Sequence, residues 1–513
     1  MGSHNHSHDK EDRALPGPSY KETHARLQSF RNRSDYPFWF EVAPLVLTTA
    51  ILMVQFFIFK DYTPHVPLII GICITGLFMS LKGRKWIDME HNMYRVMKVA
   101  LPTMIIIMCV GMVIASWIAA GTVPTILDFG LGILSPRIFL PATCILATVV
   151  SLATGTSWGT VGTVGLAIMG IAQALGVPEY WAAGAVVSGA FFGDKMSPLS
   201  DTTNLTPAVA GTDLWSHIRS MLTNTIPAYA LTLIIYTWVG MDYGTDGGMG
   251  SLEMREAIQN TVQSNFQLGW VTLIPPVVVI TMGFRKYSVM GTLCTGVFIG
   301  ALIAVFYQGV SLDKISGILM NGYTATTGQE YVDKLLTKGG ILNMGWVITM
   351  MFLSLAFVGV LEAYGTFHAI LLKINKVISS RFSLVLTSAG SVLTVGMVAG
   401  EVYTSLVLPG RLMKSKYAEM GYDRSILSRT IEDWGTLVSP LIPWNNGGAF
   451  VTSTLGISTF LYAPFALFCW LSPLIGLIYA ALGWFTPLDP KGPQKIEEEE
   501  MEDIADEVED YMV

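Results

Sequence analysis

Apolar runs long enough to cross a bilayer, about 20 residues each, recur along this chain and are separated by short polar breaks. In hydrocarbon every backbone amide and carbonyl must be satisfied within the protein, which leaves helices or a closed barrel. Runs of this length select helices. Only 13% of the 513 residues are charged, about half the share of a soluble domain. The chain therefore reads as an all-α polytopic membrane protein.

Candidate spans in the first half are 39–59, 66–82, 97–120, 179–211 and 217–240. In the second half they are 268–284, 288–307, 341–363, 428–456 and 457–484. Between the third and fourth span of each half lies more apolar sequence, 137–175 and 382–412. Each stretch is interrupted by a small polar cluster, Thr154-Gly155-Thr156-Ser157 or Gly400-Glu401-Val402-Tyr403-Thr404-Ser405. These stretches are either two ordinary helices each or re-entrant hairpins.

Lys and Arg favour cytoplasmic loops. With ten spans, both interrupted stretches re-entrant and the N-terminus inside, 24 of the 31 basic residues fall inside and 6 outside, Lys195 lying within a span. Both termini are expected to be cytoplasmic. No basic segment leads into a short apolar run and cleavage site, so the first span is expected to direct insertion. Tyr36, Phe38, Trp39, Phe40 and Trp484 suit interfacial anchoring.

Five spans per half force two similar halves in series to point in opposite directions. The halves do share sequence. Ser197-Pro-Leu-Ser-Asp-Thr-Thr-Asn204 and Ser439-Pro-Leu-Ile-Pro-Trp-Asn-Asn446 both read S-P-L-x-x-x-x-N at a displacement of 242. Gly121-Thr122 matches Gly365-Thr366, and the Gly155 cluster matches the Gly400 cluster, at 244 and 245. The expected architecture is two inverted repeats, each of five spans with a re-entrant hairpin and a broken helix. Its segments are a cytoplasmic polar tail (1–36), repeat 1 (37–245), an extracytoplasmic linker (246–266), repeat 2 (267–486) and an acidic cytoplasmic tail (487–513).

Paired interruptions at corresponding places in two halves point to a transport site near the midplane. A carboxylate there costs at least about 2.5–3.5 kcal/mol on insertion, so one that is kept usually binds or moves something. Asp201 lies amid Ser197, Ser200, Thr202, Thr203 and Asn204, an oxygen-rich setting for sodium. A carboxylate that also takes a proton meets the minimal requirement for exchange; its bland role is to cap the half-helix. Asp194 is a second sodium candidate. Lys195 is a candidate counter-charge to Asp201 or Glu401, and Glu401 stands where the first half has Thr156. Glu432 and Asp433 are candidates near a span end, where both could simply be interfacial. Thr156, Ser157, Ser439, Asn445 and Asn446 are neutral candidate ligands.

The stretch Gly155-Thr-Ser-Trp-Gly-Thr160, then Gly193-Asp-Lys-Met-Ser-Pro-Leu-Ser-Asp-Thr-Thr203, resembles the NhaC family of sodium/proton antiporters. So does Glu432-Asp-Trp-Gly-Thr436 leading into Ser439-Pro-Leu-Ile-Pro-Trp-Asn445. The resemblance covers residues 35–485. It implies an inner-membrane secondary transporter with inverted repeats, an elevator-like or rocking cycle, homodimeric assembly, and sodium and protons as cargo within the lipid bilayer. Some members of that family carry malate and lactate or amino acids, so a cation-coupled carrier of small organic acids is the alternative. Against it, no arginine falls within the expected core, whereas carboxylate recognition commonly uses one.

No cofactor, nucleic-acid or enzymatic signature is present. For an intramembrane hydrolase, Ser157 and Asp194 are conceivable, but His65, His91, His217 and His368 fall near span ends and no H-E-x-x-H occurs. Cys73, Cys109, Cys144, Cys294 and Cys469 lack paired or metal-type spacing and read as small buried hydrophobes. Residues 497–513 read as a solvated acidic run, and His4, His6 and His8 as part of a polar tail.

Overall fold

The structure, a computed structural model, describes residues 36–59, 63–99, 101–133, 135–243, 249–285, 287–374 and 378–493. The His-containing start and the acidic run at the end lie outside the described residues.

The described residues form helices joined by short turns, with two isolated β-bridges, Tyr323–Lys338 and Tyr422–Leu488. Helix ends follow local chemistry. Pro136–Thr154 starts after an extended Ser135 with proline in its first turn, and ends at Gly155 in the left-handed region. Large apolar side chains cover the outside. On Leu214–Tyr243, Trp215, Ile226, Ile234 and Trp238 are all exposed. Its two tryptophans are about 35 Å apart along the axis, which suits the two interfaces of a bilayer.

By continuous length and apolar character, three described helices could cross a membrane alone: Pro136–Thr154, Val289–Phe306 and Leu342–Tyr364. Three bent pairs raise the number to six. Helices Glu179–Met196 and Arg424–Gly435 carry charge into the interior, burying Asp194 and Lys195 in the first and Arg429, Glu432 and Asp433 in the second. The counting of basic residues had placed Arg429 in a loop and the core without arginine. Instead Arg429 is 1% exposed, because its helix is sunk between neighbours.

Four pairs of helix starts share one displacement. Helices begin at Pro136 and Arg381, at Glu179 and Arg424, at Asp201 and Asn446, and at Leu214 and Thr459, each pair 245 apart. The left-handed glycines Gly155 and Gly400, and Gly211 and Gly456, keep the same spacing. The two Ser-Pro-Leu triplets, 242 apart, are therefore three residues out of structural register. Ser197 follows a helix end, whereas Ser439–Leu441 is a 3-10 turn set earlier in its break.

Segment 246–266, read as a linker, contains the helix Met249–Asn265. It buries Ile258 and Val262, one turn apart, and donates from Gln263 to Asp128 at 2.9 Å. Its polar composition hid it from a hydropathy reading, as it did Trp86–Val99. That helix packs on Gly345–Tyr364 through Asn92 to the Gly359 carbonyl (2.6 Å) and Arg95 to Glu362 (2.8 Å). Two of the five cysteines, Cys73 and Cys294, are exposed rather than buried, since each sits on the outer face of its helix.

Close packing places the site. A Cβ at Gly189 would lie 2.2 Å from the Cys144 carbonyl, so Pro136–Thr154 and Glu179–Met196 approach closely there. Just beyond that contact the first interrupted stretch turns at Gly155.

Candidate functional site

The two tips have the same backbone geometry. Gly155 (φ 70°) and Gly400 (φ 62°) close the incoming helices. Each is followed by an extended residue, Thr156 or Glu401, whose side chain accepts from the amide three residues on, at Gly159 and Thr404. A threonine and a glutamate thus perform the same local task of capping a helix start. Glu401 does so fully buried, and it also accepts from Asn446 Nδ2 at 3.4 Å.

The two breaks supply the other walls. After Met196 the chain passes extended through Ser197 and Ser200 into Asp201–Ala210. The second break leads through Asn445 into Asn446–Leu455. Three of the candidate ligands are occupied in shaping this backbone. Ser197 Oγ donates to the Leu152 carbonyl (3.0 Å). Asn204 Nδ2 donates to the Pro198 and Ser200 carbonyls (2.9 and 2.6 Å). Asn445 Oδ1 accepts from Ser439 Oγ and the Gly447 amide, while its Nδ2 donates to the Gly396 carbonyl. Each half-helix ends in a left-handed glycine beside a lysine. Lys338 Nζ donates to the Leu455 carbonyl at 3.3 Å, and a methyl on Gly211 would meet Lys414. Burial lowers the Lys338 pKa, with Glu179 opposing the shift.

Tips and breaks enclose a cleft of about 700 Å³, counting space open to solvent. Its polar lining is Thr156, Asp194, Asp201, Thr202, Tyr403, Thr436, Ser439 and Asn446, against an apolar side that includes Trp158 and Phe191. The hydroxyls do not gather on Asp201 as its sequence neighbours suggested. They gather on Asp194, buried, whose two oxygens accept from Ser157 Oγ (2.6 Å) and Ser200 Oγ (2.7 Å). Asp201 is exposed at the cleft mouth, where it accepts from the Tyr403 hydroxyl and the Thr202 amide. Asn446 Oδ1 is buried at the cleft wall with no hydrogen-bond partner among the described residues, an acceptor without a donor. A buried acceptor left unmet costs about 1–3 kcal/mol, so the atom is placed for a ligand or water.

Lys195 is the counter-charge of neither Asp201 nor Glu401. It turns away from the cleft and pairs with Asp433, both fully buried. Ser472 Oγ bonds both partners, and Asn224 Nδ2 donates to the second Asp433 oxygen at 2.6 Å. Glu432, which a position near a span end had made look interfacial, is completely buried. It accepts from Thr202 (3.2 Å) and Thr206 (2.5 Å), so Thr202 ties it to the cleft. Sequence reasoning missed Ser472, Asn224, Thr206 and Tyr403. Asn224 and Ser472 lie within continuous apolar helices, Leu214–Tyr243 and Leu467–Leu482, where one small polar residue is not a signal.

Charge decides which ligand the cleft favours. Four helix starts meet it, at Ser157, Asp201, Val402 and Asn446. At about half a positive charge each, they contribute about +2. Asp194, Asp201, Glu401 and Glu432 contribute four negative charges when ionised, and Lys195 is offset by Asp433. No Lys or Arg is among the described residues that line the cleft. The helix starts hold carboxylates in place, and when those carboxylates are ionised the surplus negative charge favours a cation.

Residues 189–484 match the model of the Na+/H+ antiporter family. The chain is 38% identical over 445 residues to the Na(+)/H(+) antiporter NhaC of Alkalihalophilus pseudofirmus, covering 86% of this chain and 95% of that protein. It is 36% identical over 461 residues to the malate-2H(+)/Na(+)-lactate antiporter of Bacillus subtilis, covering 88% and 96%. A third relative, 34% identical over 442 residues and covering 86% and 91%, is the arginine/ornithine antiporter ArcD of Halobacterium salinarum.

Proposed function

This chain belongs to the Na+/H+ antiporter family, and from that premise we propose that it exchanges sodium for protons across the inner membrane by alternating access. The observation that carries the reading is the cleft: Asp194 and Asp201 among hydroxyls, an unmet Asn446 oxygen, and no basic side chain among the described lining residues. Asp194 is the shared group, held by Ser157 and Ser200 and able to carry either the ion or the proton. Competition for one carboxylate forbids both cargoes at once, which couples the fluxes.

The four helix starts favour a second reading. With Asp194 and Glu401 protonated they would face a small organic acid, the cargo type of the malate/lactate relative. Proteoliposomes loaded with a pH dye separate the readings. Sodium alone is expected to drive proton movement. A response that requires malate with lactate, or arginine with ornithine, would replace exchange of sodium and protons by the carrier reading.

The chain is a multi-pass membrane protein. We assign its finer topology as two five-span repeats of opposite orientation, with re-entrant tips and cytoplasmic termini. The common displacement of 245 and the matching tip geometry support it. Cysteines placed at Gly155 and Gly400 are expected to label from opposite sides; labelling of both from one side sinks the inverted arrangement.

A further inference from the structure

Beside the cleft, the interior holds a second row of polar groups that the exchange reading does not use. It runs between the first half of Leu214–Tyr243 and the buried helix Arg424–Gly435. Three rungs join them. His217 Nδ1 bonds Ser428 Oγ at 2.6 Å. Arg429 donates to Thr223 Oγ1 at 3.0 Å and to the Phe485 carbonyl at 3.2 Å. Asn224 donates to Asp433, the partner of Lys195. His217 and Asn224 are seven residues apart, on one helix face and about 10 Å along the axis.

Each rung carries a buried atom with no partner among the described residues: His217 Nε2, Arg429 Nη2 and Asn224 Oδ1. All three residues are at most 1% exposed. Polar atoms buried in protein are normally met by protein or ordered water, and a single such atom would be incidental. Three such atoms fall on the three rungs of one row, each beside a bonded polar group. Its inner end is the Lys195–Asp433 pair. Its outer end is the protein surface, where Asp213 caps the helix start and Phe485 is 54% exposed.

We propose that this row is a proton route, separate from the sodium cleft, joining the Lys195–Asp433 pair to the protein face at Asp213 and Phe485. The inference rests on the exchange reading and adds a path for protons as far as the Lys195–Asp433 pair, whose lysine follows Asp194 in the chain. Water on the row gives a proton to His217 Nε2, and the imidazolium releases that proton to the next water, so the imidazole returns to neutral. Arg429 and Asn224 keep their protons and orient the water. The charged and titratable groups facing the row are Lys195, Asp433, Arg429 and Tyr479, whose hydroxyl donates to the Thr223 carbonyl.

The test compares two fluxes in the same proteoliposomes: sodium-driven proton movement, and exchange of radioactive for unlabelled sodium, which needs no net proton transfer. His217→Gln and Ser428→Ala are expected to slow the first by roughly tenfold or more and to leave the second near the wild-type rate. Imidazole added to His217→Gln is expected to restore proton movement in part, which a structural defect would not allow. Unchanged proton movement in both variants would overturn the route. So would a parallel loss of both fluxes without imidazole rescue. If the wild type itself exchanges labelled sodium yet moves no protons on sodium addition, the exchange reading fails first and the route with it.

Discussion

Asp194→Asn is expected to cut sodium-driven proton movement by roughly 100-fold or more, with the protein still folded. Two hydroxyls converge on this buried carboxylate, and Asn preserves its shape while removing the charge and the titratable oxygen. Charge-assisted bonds are worth about 1.5–3 kcal/mol each, about 10- to 150-fold in an equilibrium constant. Loss of proton binding at the same atom adds to that. Asp201→Asn is expected to do less, chiefly weakening apparent sodium affinity, because Asp201 is exposed and anchored by Tyr403. Labelled-sodium binding and proton flux measured on both variants rank the two residues. A near-normal Asp194→Asn beside a dead Asp201→Asn would move the shared site to the mouth of the cleft.

Lys195→Met alone is expected to destabilise the protein by about 3–5 kcal/mol, since it strands Asp433 as an unpaired buried charge. Asp433→Asn strands the lysine with a similar loss. Combining Lys195→Met with Asp433→Leu is expected to recover most of the stability, because replacing both ions by apolar groups also removes their desolvation cost. Thermal unfolding in detergent, followed by size-exclusion chromatography, measures the cycle. Strictly additive losses in the double variant would mean that each residue is held by its own surroundings and not by the other. If the double variant folds, its proton flux is expected to remain lost, because the inner end of the His217–Asn224 row is then apolar.

Much of this organisation is local and so is written in the chain. Apolar length fixes where helices cross, since hydrocarbon leaves the backbone no other partner. Glycine and proline fix where they stop: Gly155 and Gly400 mark the tips because the left-handed region favours glycine, and Pro198 and Pro440 mark the breaks because proline lacks the amide that continues a helix. The polar residues between those marks were identifiable as site candidates for the same reason, being costly anywhere else in a membrane. The amphipathic helices Trp86–Val99 and Met249–Asn265 escaped notice because a hydropathy reading discards segments with alternating polar content.

Pairing was not local, and only the tertiary structure decided it. The Lys195–Asp433 bond spans 238 residues, and nothing near Lys195 in sequence distinguishes that partner from Asp201 or Glu401. The choice depends on which way each side chain leaves its helix and on how Arg424–Gly435 is sunk among its neighbours, which brings Asp433 to Lys195. The same packing sends the hydroxyls to Asp194 instead of Asp201, buries Glu432 and Arg429, and sets the halves in register at 245 and not 242. Composition and periodicity determined that this chain crosses a membrane and keeps polar groups at two broken helices. Three-dimensional packing determined which of those groups face the cleft, because a buried charge is defined by its neighbours and those neighbours come from distant parts of the chain.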